Sequence, residues 1–167
     1  MHSYYQDFLI RDWQPSDRIS AAGVIQQVLA EYGLGWQPEG ADQDVMKVEK
    51  FYQQARGQFW VVVQNTVQGT EIVGTAAYYP IARDKKAVEI RKMYLHPQVR
   101  GRGLGSYLLG QLEAAIASGG WQQIYIETAT VLKEAVHLYE IHGYQPTTGV
   151  ETPRCDRIYV KFLEKFQ

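Results

Sequence analysis

The chain has 167 residues, and the whole of it, 1–167, is expected to form one domain with a substantial core. Apolar residues make up 46% and charged ones 21%, the balance of a soluble globular protein. A net charge of −1 argues against a general nucleic-acid binder. The single cysteine, Cys155, leaves no internal disulfide and no cysteine-built zinc site. No apolar run approaches the ~20 residues of a membrane helix, so no membrane partner is expected. The opening "MHSYYQDFLIRDW" lacks the apolar core of a signal peptide, and the reducing cytoplasm is the expected compartment.

"FLIRDW" (8–13) reads as a short strand ended by Pro15. "SDRISAAGVIQQVLAEYG" reads as a helix capped by Ser16 or Asp17 and stopped at Gly33, with Ile19, Val24, Val28 and Tyr32 as its apolar stripe. After the turn-rich "LGWQPEGAD", residues 42–57 read as a second helix with Val45, Val48, Tyr52 and Ala55 on one side. Strands follow at 59–65, 71–80 and 87–96, separated by the turns "VQGTE" and "RDKK". Residues 104–118 read as a helix with Leu108, Leu112 and Ala115 on one face. A strand at 123–129, a helix at 132–143 closed by Gly143, a short strand near Tyr144 and a last strand at 157–163 complete the pattern. Consecutive strands early in this order imply antiparallel pairing, and the β-α-β unit from 88 to 126 implies one parallel pair. The expected fold class is mixed α/β, a mainly antiparallel central sheet flanked by about four helices.

"HPQVRGRGLGSYLL" (96–109) sits between the strand at 87–96 and the following helix. A helix N-terminus presents unpaired N–H groups and partial positive charge, and so receives anions. Glycine lets a ligand approach the backbone, and Arg100 and Arg102 add positive charge. The stretch therefore reads as a diphosphate cradle, against the plainer reading of a structural turn. A Walker loop would need Lys before Ser106. A dinucleotide fingerprint would need a third glycine where Ser106 stands. RGG-type RNA tracts are repeated and disordered, and this one is single and folded.

Arg100-Gly101-Arg102-Gly103-Leu104-Gly105 resembles the Arg/Gln-x-x-Gly-x-Gly/Ala motif of the GNAT superfamily of N-acetyltransferases. The likeness extends through "AVEIRKMYLHPQVRGRGLGSYLL" and "AVHLYEIHGY" (135–144), and covers about residues 7–163. It implies direct transfer of an acetyl group from acetyl-CoA, a cosubstrate, to an amine, with no metal. The resemblance places the diphosphate on backbone N–H groups from Arg100 to Ser106, across Gly101, Arg102, Gly103, Leu104 and Gly105. It places the pantetheine arm between diverging strands, against Met93, Tyr94 and Leu95 on one side and Glu127, Thr128 and Ala129 on the other. The Leu95 N–H matches the usual donor to the thioester carbonyl.

Glu89, four residues before Met93, matches the catalytic glutamate of several members and would act as base through water. Its plainer reading is an exposed strand glutamate paired with Arg91 or a lysine. Tyr139 matches the tyrosine beside the coenzyme sulfur and would protonate the leaving thiolate, whose thiol has a pKa near ~8.5. It would also touch the cofactor. Leu132 departs from the family, where an asparagine often bonds the pantetheine. His96, His137 and His142 are not spaced as metal ligands. Cys155 reads as a core residue or part of the acceptor pocket, as do Tyr32, Trp36, Tyr78 and Tyr79. The implied acceptor is the primary amine of a small molecule. A protein N-terminus or lysine, and a non-catalytic acyl-CoA sensor, are the rivals. Many relatives dimerise, which leaves a homodimer open. Tyr139→Phe is expected to cut turnover with little change in acetyl-CoA affinity, and Glu89→Gln to reduce the rate most at low pH.

Overall fold

The pattern along the strand expected over 59–65 sets the architecture. Phe59, Val61 and Val63 face one core, while Trp60 and Val62 face another. A strand alternates its side chains between faces, so a run apolar on both must be covered on both. The computed structural model describes residues 1–164. It shows a single eight-stranded sheet with helices on the two faces.

The strands are β1 (His2–Tyr5), β2 (Phe8–Asp12), β3 (Gln58–Thr66), β4 (Gly69–Ile81), β5 (Ala87–Leu95), β6 (Gln123–Thr128), β7 (Gln145–Thr147) and β8 (Arg157–Phe162). Their spatial order is β1-β2-β3-β4-β5-β6-β8-β7. All neighbours run antiparallel except β5 and β6, the pair joined by a helical crossover. Helix α1 (Arg18–Glu31) covers one face, together with α2 (Gln43–Met46) and a π-helical turn, Glu49–Gln53. Helices α3 (Leu104–Ser118) and α4 (Lys133–Ile141) cover the other.

Three local expectations change. Helix α1 buries Ala21, Val24, Ile25, Val28 and Leu29, and Ile19 lies 88% exposed, outside the stripe assigned to it. The helix expected over 42–57 is broken at Lys47, although Val45, Val48 and Tyr52 are all buried as anticipated. The break has a cause. Tyr52 Oη donates to Asp44, eight residues earlier. Eight residues of unbroken helix span about 12 Å, more than these side chains bridge comfortably. The third change is β1, a four-residue polar strand that the pattern did not announce. It folds onto β2 through a turn in which Gln6 takes a left-handed φ of 53°.

Candidate active site

β5 and β6 pair over only three registers, Ala87 with Gln123, Val88 with Ile124 and Glu89 with Tyr125. Beyond Glu89 the strands part. Against β4, the register of β5 slips by one residue between Ala77–Arg91 and Thr75–Tyr94, which marks a bulge. Lys92 sits in it with φ of 50°. Simple alternation would put Lys92 on the face of Val88 and Ile90. The bulge turns it to the side of Arg91, and both cations reach Asp44, at 3.3 and 3.9 Å.

The Lys92 side chain is 1% exposed and forms the centre of a buried charge cluster. Its Nζ donates to Asp42 at 2.7 Å and to Ala41 O at 2.9 Å. Arg154 closes on both Asp42 oxygens at 2.6 Å. Burial alone would raise the Asp42 carboxyl, but Arg154 and Lys92 bring it down to about 2. Burial draws the Lys92 ammonium below its ordinary value, against the pull of Asp44 and Asp42. Thr75 Oγ1 donates to the Lys92 carbonyl at 2.6 Å and fixes the bulge from β4.

The parted strands enclose a cavity of about 290 Å³. Met93, Tyr94 and Leu95 line one wall, and Glu127, Thr128 and Ala129 the other. His96 N–H donates to Val73 O on β4 at 2.8 Å. Backbone N–H groups alternate along a strand, so the Leu95 N–H faces away from β4, into the gap.

Arg100, Gly101, Gly103, Leu104, Gly105 and Ser106 close one end of the cavity. The Tyr107 N–H finds the Gly103 carbonyl at 3.1 Å. The N–H groups of 101–106 have no backbone acceptor among the described residues. Gly101 and Gly103, at φ of 74° and 80°, give the loop a left-handed path that a Cβ would resist. The result is a run of free donors at the N-terminus of α3.

The arginine side chains stand elsewhere than expected. Arg100 makes a two-point pair with Glu31 at 2.8 and 2.9 Å, reaches Tyr32 Oη at 3.2 Å, and donates from Nε to Leu95 O at 3.0 Å. It ties the end of α1 to the end of β5. Arg102 is outside the cavity lining and pairs with Asp7. Neither guanidinium is free in this structure.

Tyr139 is 5% exposed and borders the cavity, its ring set edge-on to Tyr144. Its hydroxyl makes no hydrogen bond among the described residues. Burial pushes the phenol well above its ordinary value, so it stays protonated at any working pH. Cys155 lines the same cavity, and burial, then the Glu127 charge, raises its thiol to about 11. That is the wrong direction for a nucleophile. Leu132 borders the cavity as an apolar wall.

Glu89 lies outside this cavity and lines a second concavity of about 440 Å³. Arg91 and Glu127 border both spaces. Burial raises the Glu89 carboxyl to about 7, opposed by Arg91, whose Nε is 3.8 Å away. Glu127 accepts from the N–H groups of Glu151 and Thr152 at 2.6 and 3.0 Å, and so holds the loop that borders this second space. Tyr79 lines it too, while Tyr32 lines the first, Tyr78 is buried in the core and Trp36 packs beside α1's core. Among the described residues no three metal-binding side chains gather.

The model described as Acetyltransferase (GNAT) family matches residues 24–144. The chain belongs to the GNAT acetyltransferase family. An uncharacterized N-acetyltransferase of Escherichia coli (strain K12), YjgM, is 34% identical over 134 residues, 77% of each chain. A GNAT acetyltransferase structure from Staphylococcus aureus Mu50 superposes with TM-score 0.84 at 19% identity, covering 94% of this chain and 99% of that one. A Salmonella typhimurium structure, yncA with its cofactor acetyl-CoA, gives TM-score 0.73 at 18% identity over 96% of each chain. This GNAT chain is thus an acyltransferase with the mixed, mainly antiparallel sheet of its structural neighbours. The buried cluster of Asp42, Lys92 and Arg154 escaped the sequence reading. Nothing in composition or spacing ties residues so far apart, and only a lysine in phase with Val88 and Ile90 hinted at it.

Proposed function

We propose that this GNAT enzyme transfers the acetyl group of acetyl-CoA directly to the primary amine of a small molecule, in the cytoplasm its lone cysteine suggests. One observation carries the reading. The gap between β5 and β6 ends in free N–H donors on one side and abuts, across Arg91 and Glu127, the concavity that holds Glu89. The residues present suit the coenzyme. Donors at a helix N-terminus match a diphosphate, and an open strand edge with the Leu95 N–H matches the amides and thioester of a pantetheine arm. The apolar Leu132 offers that arm no side-chain hydrogen bond, so backbone groups would carry its polar contacts.

Acetyl-CoA supplies the activated acyl group. Residues 101–106 would bind its diphosphate, and the Leu95 N–H would stabilise charge on the carbonyl oxygen. Glu89, half ionised near neutrality, would take a proton from the acceptor ammonium, through water where the amine lies beyond direct reach. The neutral Tyr139 hydroxyl, unpartnered and facing the cavity, would donate to the departing thiolate. Of the carboxyls lining the second concavity, Glu127 and Glu151 pair with Arg83, and Lys92 and Arg91 reach Asp44, which leaves Glu89 as the one that would meet the acceptor's ammonium.

Calorimetric titration with acetyl-CoA, followed by thiol release with polyamines, amino acids, aminoglycosides and short peptides, tests the reading. Binding with turnover on one small-amine class supports it. Turnover on peptides alone favours the protein acetyltransferase, and tight binding without turnover on any acceptor favours the sensor. Absence of binding removes the cofactor assignment.

A further inference from the structure

The cradle is held from behind by the N-terminal hairpin. Tyr5 Oη donates to the Arg102 carbonyl at 2.9 Å, and Gln6 Nε2 donates to the same oxygen at 3.2 Å. Asp7 pairs with the Arg102 guanidinium and accepts from Gln64 Nε2 at 2.9 Å. The Tyr5 ring stacks on Tyr107 in the first turn of α3, with centroids 4.5 Å apart. Ser3 meets the Tyr107 hydroxyl. The contacts to Arg102 and Tyr107 join residues about a hundred positions apart, and one of them depends on Gln6 holding a left-handed φ that an ordinary side chain resists.

The Arg102 carbonyl and the Gly103 N–H belong to one peptide unit. A trans peptide is planar, so the two groups point in opposite directions. Two donors on the carbonyl therefore fix the Gly103 N–H toward the opposite side, where Gly103 borders the cavity. A Cβ on Gly103 would stand 2.5 Å from Tyr5 Oη, which shows how closely the hairpin backs the loop. We infer that Tyr5 and Gln6 are positioning residues for the coenzyme's diphosphate, setting the 102–103 peptide in its donor orientation before the ligand arrives. The inference rests on the coenzyme A reading above. Pre-set donors spare the ligand the cost of ordering the loop.

The test compares two ligands that differ by the diphosphate-bearing half, coenzyme A and pantetheine. Tyr5→Phe keeps the ring on Tyr107 and removes the hydroxyl, and Gln6→Ala removes the second donor from an exposed position. Calorimetry on each variant and on the pair should show the Kd for coenzyme A rising about three- to thirtyfold, by loss of one or two hydrogen bonds. The Kd for pantetheine should stay at the wild-type value. An equal loss for both ligands would mean general damage, and an unchanged coenzyme A affinity would leave the hairpin as packing alone. Either overturns the inference while the coenzyme reading stands. A wild-type chain that ignores coenzyme A rejects that reading, and this inference with it.

Discussion

Glu89 titrates near neutrality because Arg91 only partly offsets its burial. Below pH 7 its carboxyl is protonated and cannot accept the acceptor's proton. Above the pKa of the amine, near ~10 for an alkylammonium, no base is needed. Glu89→Gln should therefore lower kcat/KM most between those limits, by about a hundredfold, and flatten the rise through pH 7. The sequence alone places the largest loss at low pH, and burial is what moves it upward. A pH–rate profile decides, since a uniform loss across pH would assign Glu89 to positioning. For Tyr139→Phe the ring keeps its place against Tyr144 while the donor goes. Turnover should fall about tenfold or more, with the acetyl-CoA Kd nearly unchanged. Single-turnover kinetics beside calorimetry separate these, and undiminished turnover removes Tyr139 from the mechanism. Both residues were proposed from the resemblance alone; the structure sets Tyr139 on the cavity wall and Glu89 in the neighbouring concavity, a separation that no local motif announces. The engagement of Arg100 by Glu31 was not legible in the sequence, since the pattern of one segment says nothing of what another presents to it.

The β5 bulge shows how an element depends on charges outside it. Lys92→Met would leave Asp42 and Asp44 buried with fewer cations, at about 3–5 kcal/mol of stability by the usual cost of breaking a buried pair. Urea unfolding reads this directly, and a loss below 1 kcal/mol would show that the cluster relaxes or hydrates. The Asp42 carboxyl has a folded pKa of about 2, below its ordinary 3.8. The native state therefore binds fewer protons than the unfolded chain between these values. Its contribution is complete above pH 4, amounts to about 2 kcal/mol, and is lost as pH falls toward 2. Denaturant midpoints in that range should track the loss in wild type and lose part of it in Asp42→Asn. Strand 87–96 and helix 104–118 were readable almost to their ends, for their periodicity is local. The broken helix after Asp42 was not, since its break answers to Tyr52 and Asp44 side chains meeting across it.

Across the molecule, the order of strands and helices already implied a mainly antiparallel sheet with one parallel pair, as the structure has it. Where that pair splits came only from the resemblance, which set the gap between residues 93–95 and 127–129, where the strands do part; the bulge at Lys92 was not readable, because no residue type marks it. A ligand that fills the split binds only the folded chain. Coenzyme A at a hundred times its Kd should then add about 2.7 kcal/mol and raise the melting temperature in a concentration-dependent way. A melting temperature indifferent to coenzyme A would mean that the folded chain does not bind it. The knot of Asp42, Lys92 and Arg154 carries a consequence for folding kinetics. Its members are 50 and 112 residues from Asp42, so closing it requires two long loops to be paid for in chain entropy. Hairpins such as β1–β2 and β3–β4 close over a few residues and come first. Refolding chains should regain their sheet before they regain the parted strands, making the competence to hold a ligand the slowest property to return.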